Sequence, residues 1–332
     1  MSILRGSFIY ICDCKESKID AYEAVLFADM TIFVTRINHN YCMKYPSLFS
    51  VFLLLIPALL PAQHPDWEGG YADGCTSITV AKGASADGSV ITSHTDDSHR
   101  TRSWMEVVPA QKHPASATST MYKRMPCDSF AMPTYSHIPI GEIPQVAETH
   151  QFLNTAYPSV NQFQLAIGES TFGGREELQS DSGLIDCQRL CRLMLERCKT
   201  AREAIRLTGE LTSKYGWNDY GECLTIADKK EVWHLEILGP GRGKIGSVWA
   251  AQRVPDGHIS VNANASTIKE IDLEDPEHFM ASENVYSLAA EAGWWEEGEP
   301  FRFCYAYAPG SRTSLAARRR EWRVFDLLAP SL

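Results

Sequence analysis

A thiol at Cys75 and two carboxylates at Asp96 and Asp97 bracket the stretch GCTSITVAKGASADGSVITSHTDDS, which has strand character on both sides of a turn. Thr76, Ile78 and Val80 put β-branched residues at alternate positions, GASADG supplies turn residues, and Val90, Ile91 and Thr92 begin a return strand. An antiparallel hairpin of this length carries Asp96 and Asp97 back beside Cys75. Gly74, a small residue, directly precedes the cysteine. Cleavage there would give one residue both a thiol and a free α-amine, whose reference pKa of about 7.7 to 8.0 suits it to take the thiol proton. Such a residue is nucleophile and base at once. The plain alternative is a cysteine packed at the start of a strand.

The elements that must position this hairpin follow it in the chain. VNQFQLAIGESTFGG alternates as a strand through Phe163, Leu165 and Ile167, then reaches Ser170, Thr171 and two glycines, which allow the backbone to approach a ligand. Leu184 to Tyr215 is the clearest helical region, with Leu184, Ile185, Leu190, Leu193, Met194 and Leu195 as an apolar stripe. Thr200 and Glu203 have capping-box spacing for a second helix, and Gly216 stops it. These helices are scaffold. CLTIADKKEVWHLEIL and SVWAAQRVPDGHISVNANAS read as adjacent strands joined by the turn Gly239 to Gly243. If Asn262 and Asn264 lie two apart on one strand they share a face, and both are candidates to point inward. Arg100 and Arg102, close after the hairpin, are candidates to bind a substrate carboxylate, and Arg253 is a candidate for substrate binding or for a buried ion pair. The region from Pro109 to Pro158 reads as long loops with short strands, and the basic stretch Arg318 to Arg320 as a helix surface.

The chain has 332 residues and a formal net charge of -10, enough for one large or two modest domains. The acidic balance argues against nucleic acid as a partner, because phosphate binding needs a basic face. Seven of the ten cysteines lie from Cys75 onward, an odd number that leaves at least one thiol unpaired in an exported chain. Cys187, Cys191 and Cys198 read as buried thiols of a helical region; without a Cys-x-x-Cys pair or clustered histidines, no metal site is expected. Residues 43–62, MKYPSLFSVFLLLIPALLPA, read as a signal peptide with Met43 as the true start, and residues 1–42 as a mis-annotated upstream extension. A membrane anchor is the alternative, although the apolar run is short for a span. Residues 63–74 read as a short propeptide or linker, and ADGC as a poor lipoprotein signal. The expected location is periplasmic or extracellular.

The words CTSITVAKGASADGSVITSHTDDS, VNQFQLAIGESTFGG, TAREAI, VWAAQRVPDG, VNANASTIKEID and RRREWRVFDLLAPS, in that order, resemble the secreted and cytosolic dipeptidases of the N-terminal-nucleophile cysteine hydrolase superfamily. Bile-salt hydrolase and penicillin V acylase are more distant relatives. The resemblance runs from Cys75 to the C-terminus. It implies an α+β fold, a four-layer αββα sandwich, for residues 75–332, with the C-terminal part apparently missing. It also implies dipeptide hydrolysis by Cys75 through a thioester, without metal or organic cofactor. Asp97 aligns with the family's acidic hairpin residue and would orient the amine, with Asp96 as the fallback. Thr171 falls near an oxyanion-pocket position, and an asparagine, Asn262 or Asn264, supplies a polar group near the nucleophile. The implied partner is a small peptide, with homo-oligomerisation possible and no stable membrane association once the signal is removed. The alternatives are an acylase for non-peptide amides such as conjugated bile salts or penicillin V, and a non-enzymatic surface lipoprotein or inactive fragment.

Overall fold

The computed structural model describes residues 74–97, 105–126 and 135–330. The expected leader, the expected propeptide up to residue 73, Arg100 and Arg102 lie outside the described residues, while Gly74, the last residue of that propeptide, is described. Strand β1 (Gly74–Val80) and strand β2 (Ile91–Asp97) form the expected hairpin, in a register that sets Cys75 opposite Asp96 and Gly74 opposite Asp97. Every second residue of β1 is buried, from Cys75 through Ser77 to Thr79. That face has a sheet beneath it.

Strand β3 (Glu106–Val108) comes next, and the segment expected as long loops with short strands contributes β4 (Gln111–Lys112), β5 (Thr118–Pro126), β6 (Tyr135–Pro144), β7 (Glu148–Thr149) and β8 (Phe152–Asn154). Strands β5 and β6 pair over most of their length as a long ribbon, and β4 pairs with β7. The next strand word is broken. Val160 and Asn161 form β9, Gln164 takes a left-handed φ of 68°, and only Ala166–Phe172 continues as β10. The alternation through Phe163 and Leu165 is therefore a turn, closed by the Asn161 side chain, whose Oδ1 accepts from Phe163 N and Leu165 N.

Helix α1 (Cys187–Arg197) starts after Ile185 rather than at Leu184, because Asp186 caps it by accepting from Arg189 N. Helix α2 (Ala201–Tyr215) has the expected capping box of Thr200 and Glu203 and ends at Gly216, whose φ is 77°. Strands β11 (Gly221–Ala227) and β12 (Val232–Leu238) form a hairpin within the first of the two later strand words. The second word also splits. Its β13 (Val248–Arg253) joins β12, but its β14 (Ile259–Asn262) crosses to β1. Strand β15 (Phe279–Ala281) closes the far edge of the larger sheet.

The result is α+β, with an eight-stranded sheet ordered β15-β13-β12-β11-β10-β9-β8-β3 and a three-stranded sheet ordered β14-β1-β2. Helices α1 and α2 bury Leu190, Met194 and Ile205 in one core with Ile167, Leu224 and Leu235 of the larger sheet. The small sheet lies against β10 and β12: Ser77 Oγ donates to Glu169 O at 3.2 Å, and Thr79 Oγ1 is 2.9 Å from His234 Nε2. Gly168 permits this approach, since a Cβ there would lie 2.7 Å from Thr225 Oγ1 and 3.0 Å from His94 Cβ. With both faces covered, β11 and β12 are buried at every position. A second core gathers Phe172, Leu238 and Val248 with Phe303 and Tyr307, around α3 (Ser287–Glu291) and α4 (Phe303–Tyr307). Helix α5 (Leu315–Leu328) leaves Leu315, Trp322 and Leu327 exposed. No helix among the described residues is long and apolar enough to cross a membrane.

Candidate active site

Cys75 is the second residue of β1 and lies beyond the end of β14, the ladder between those strands stopping two residues short of it, at Ser77 opposite Asn262. A side chain continues the ladder: Cys75 N donates to Asn264 Oδ1 at 2.7 Å. Asn264 lies past the strand end at φ 60°, a left-handed conformation that asparagine tolerates better than most residues. Its N donates to Ser170 Oγ at 2.8 Å and its Nδ2 to Thr171 O at 2.6 Å. A left-handed backbone whose side chain is held at both its oxygen and its nitrogen marks a positioned group. The segment behind it is pinned by Glu236 of β12, which accepts from Thr267 N at 2.5 Å, Ile268 N at 3.1 Å and Ser266 Oγ.

The two asparagines thus part company. Asn262 is wholly buried, its Nδ2 donating to Ala265 O, while Asn264 meets Cys75. The premise that they share one strand face does not hold, because β14 ends at Asn262 and the chain then turns through the left-handed residue.

Arg320 of α5 closes the other side. Its Nη1 donates to Cys75 O at 2.6 Å and Thr76 Oγ1 at 3.1 Å, and its Nη2 to Ala263 O at 2.9 Å and Asn264 Oδ1 at 3.0 Å. The expectation of a mere helix surface fails at this residue. The fork of the guanidinium joins β1 to the Asn264 loop, a task for which a lysine lacks the geometry.

The thiol faces Glu169. Cys75 Sγ donates to Glu169 Oε1 at 3.4 Å, and His94 Nε2 of β2 lies 3.2 Å from the same oxygen. Among the described residues β9 pairs with β10 only at Val160 and Ala166, and further along β10 Glu169 meets the hairpin. Burial, then the charges of Glu169 and Asp96, push the Cys75 thiol well above its ordinary value. With its peptide bond to Gly74 intact, Cys75 is a protonated thiol.

Glu222 of β11 stands beside Glu169 and accepts from Thr171 Oγ1 at 2.7 Å. Burial, then the Glu169 charge, raise the Glu222 carboxyl well above the usual carboxylate range. Burial acts on Glu169 in the same sense, but hydrogen bonds from His94, Glu222 and Cys75 outweigh it and hold Glu169 low. The proton of the pair therefore resides on Glu222. Thr171 and Glu222 line a cavity of about 580 Å³ shared with Tyr157, Leu184 and Asn218.

Of the other sequence candidates, Asp97 lies across from Gly74, exposed, with Thr95 Oγ1 donating to it at 3.5 Å. It is not a partner of Cys75 N, which points to the β14 side. Arg253 sits in an ion-pair cluster with Glu231, Asp256 and Glu277 at 3.4, 3.0 and 3.1 Å, the second of its two readings. Gly173 has open space beside it and Gly174 packs on Leu238, so the close approach belongs to Gly168 instead. All six described cysteines are free thiols. Two clusters have ligand atoms within 4.8 Å of one another, Cys75 with His94 and Glu169, and Glu169 with Cys187 and Glu222. Glu169, His94, Glu222 and Arg320 escaped sequence reasoning. The only signal for the first was a carboxylate at an otherwise apolar strand position.

A family model described as peptidase family C69 matches residues 74–332, beginning one residue before Cys75. Among curated proteins, a probable dipeptidase of Latilactobacillus sakei is 28% identical over 224 residues, covering 65% of this chain and 44% of that protein. A probable dipeptidase B of Streptococcus pyogenes is 25% identical over 245 residues, covering 71% and 46%, and a probable dipeptidase A of the same species 27% over 219 residues, covering 64% and 44%. The chain spans about half the length of the curated relatives it matches.

Proposed function

The chain belongs to peptidase family C69, and from that premise we propose that it is a cysteine-type dipeptidase in which Cys75, freed at its amino end, attacks the carbonyl of a dipeptide. The observation that carries this reading is the holding of both reactive atoms of one residue: Cys75 N by Asn264 and Cys75 Sγ by Glu169. A thiol raised by burial and by two neighbouring carboxylates is a poor nucleophile unless a base stands beside it. The α-amine released by cleavage after Gly74 is that base. It takes the thiol proton as sulfur bonds to carbon and returns it to the leaving amine, and water then resolves the thioester.

Asn264 has two hydrogens on Nδ2, one of them on Thr171 O; the second is suited to the developing oxyanion. A preorganised donor of this kind is worth on the order of 3 to 4 kcal/mol. Arg320 holds the acceptor side of Asn264 and the carbonyl of Cys75, fixing the nucleophile's backbone. Of the two hairpin acids, Asp96 stands opposite Cys75 in the register and its charge is the one felt at the thiol. The packing of two helices, two sheets and α5 supports the finer assignment of an αββα sandwich. Export from a start at Met43 is proposed on the sequence alone.

Cys75→Ala should abolish hydrolysis of dipeptides, measured as amino acid released, while Cys75→Ser should keep the native circular dichroism and unfolding transition. Undiminished turnover in the alanine variant contradicts the assignment.

A further inference from the structure

The hydrolytic chemistry above leaves the second carboxyl of the site unused. Glu169 and Glu222 are 1% and 2% exposed, and an oxygen of each lies within 4.8 Å of the other and of Cys187 Sγ. Beyond what each carboxyl can offer the other, Glu169 Oε2 and Glu222 Oε2 have no hydrogen-bond partner among the described residues. Neither has a lysine or arginine partner there; the only ion pair is that of His94 with Glu169. Two buried carboxyls side by side need a proton or a cation between them. The pair also bridges nucleophile and cavity, since Glu169 Oε1 is 3.4 Å from Cys75 Sγ and Glu222 lines the cavity wall.

We propose that Glu169 and Glu222 together seat the free α-ammonium group of the substrate, making the site selective for dipeptides with an unblocked amino end. This deepens, and rests on, the reading of Cys75 as the nucleophile toward dipeptides. The geometry follows from the substrate itself. Its α-nitrogen is two bonds from the attacked carbon, about 2.5 Å away. Sulfur approaches that carbon from about 3 to 3.5 Å. The nitrogen therefore lies within about 6 Å of Cys75 Sγ, where an oxygen 3.4 Å from the sulfur can accept from it. An ammonium there takes over the role of the shared proton and gives both Oε2 atoms a donor. An N-acyl group removes the positive charge and puts bulk where the ammonium would sit, so the buried pair loses its cation. Tyr157 and Leu184 in the cavity wall offer apolar surface to the side chain of the same substrate residue.

The test uses the full chain in its mature form, a dipeptide and its N-acetyl derivative. Wild-type kcat/KM should fall on the order of 100-fold or more on acetylation. Glu222→Gln should shrink that ratio below about tenfold, mainly by raising KM for the free dipeptide. In parallel, calorimetry on Cys75→Ala should show binding of the free dipeptide in preference to the acetylated one, a measurement that needs no turnover and no acidic-pair variant to fold. Hydrolysis of both substrates at equal rates overturns the ammonium seat and leaves the dipeptidase reading intact. Hydrolysis of neither overturns the dipeptidase reading, and the calorimetric preference then decides the seat: preference supports it, equal or undetectable binding overturns it. A preference abolished by a chelator and restored by Zn²⁺ would assign the pair to a metal and likewise overturn the proposal.

Discussion

At the scale of single residues, Asn264 and Arg320 carry the account. Asn264→Ala removes the acceptor of Cys75 N and the proposed oxyanion donor, so turnover should fall on the order of 100-fold. It also places alanine at φ 60°, costing about 1 kcal/mol of stability or more. Asn264→Gly should recover that stability without recovering turnover. Asn262→Ala, whose Nδ2 serves only Ala265 O, should lower the denaturant midpoint while changing kcat by a few-fold at most. Equal losses of kcat in Asn262 and Asn264 variants would contradict the placement. The two are indistinguishable in sequence because strand alternation was assumed to run through Asn264, and a left-handed residue breaks that rule without announcing itself. Arg320 was illegible for another reason: its partners Cys75 and Thr76 are 245 and 244 residues away, and only the fold brings them together.

At the scale of elements, the contact between the two sheets is polar at its centre. Thr79 of β1 meets His234 of β12, which burial depresses to a pKa of about 4. The folded-state value lies below that of the unfolded chain, near 6.5, so the unfolded state binds the extra proton. The stability conferred by a neutral His234 is fully present above pH 6.5 and is lost as the pH falls toward 4, a contribution of about 3 kcal/mol. Denaturant unfolding at pH 7.5 and pH 4.5 should show this loss in wild-type protein and a smaller one in His234→Gln; equal losses in both would contradict it. The hairpin of Cys75 and the capping box of Thr200 and Glu203 were legible because their signals are local. The division of VWAAQR and ISVN between two sheets was not, since the turn VPDGH looks the same whether a strand returns to its own sheet or crosses to another.

At the scale of the molecule, two cores flank the larger sheet and the small sheet covers the part of it from which the site is assembled. Cys75 is thereby placed at the junction of β1, β10, the Asn264 loop and α5. An α+β fold was legible from strand and helix words, whereas the meeting of Glu169 with Cys75 and His94 depends on how the small sheet packs against β10. The central claim is that Cys75 becomes the amino terminus and then the nucleophile. The direct measurement is intact mass and N-terminal sequencing of purified, active protein, before and after rapid acid quenching with a dipeptide substrate. The account predicts a chain that begins at Cys75 and gains the mass of one acyl residue on that cysteine. An active chain that retains Gly74, or an acyl group carried elsewhere, would contradict it.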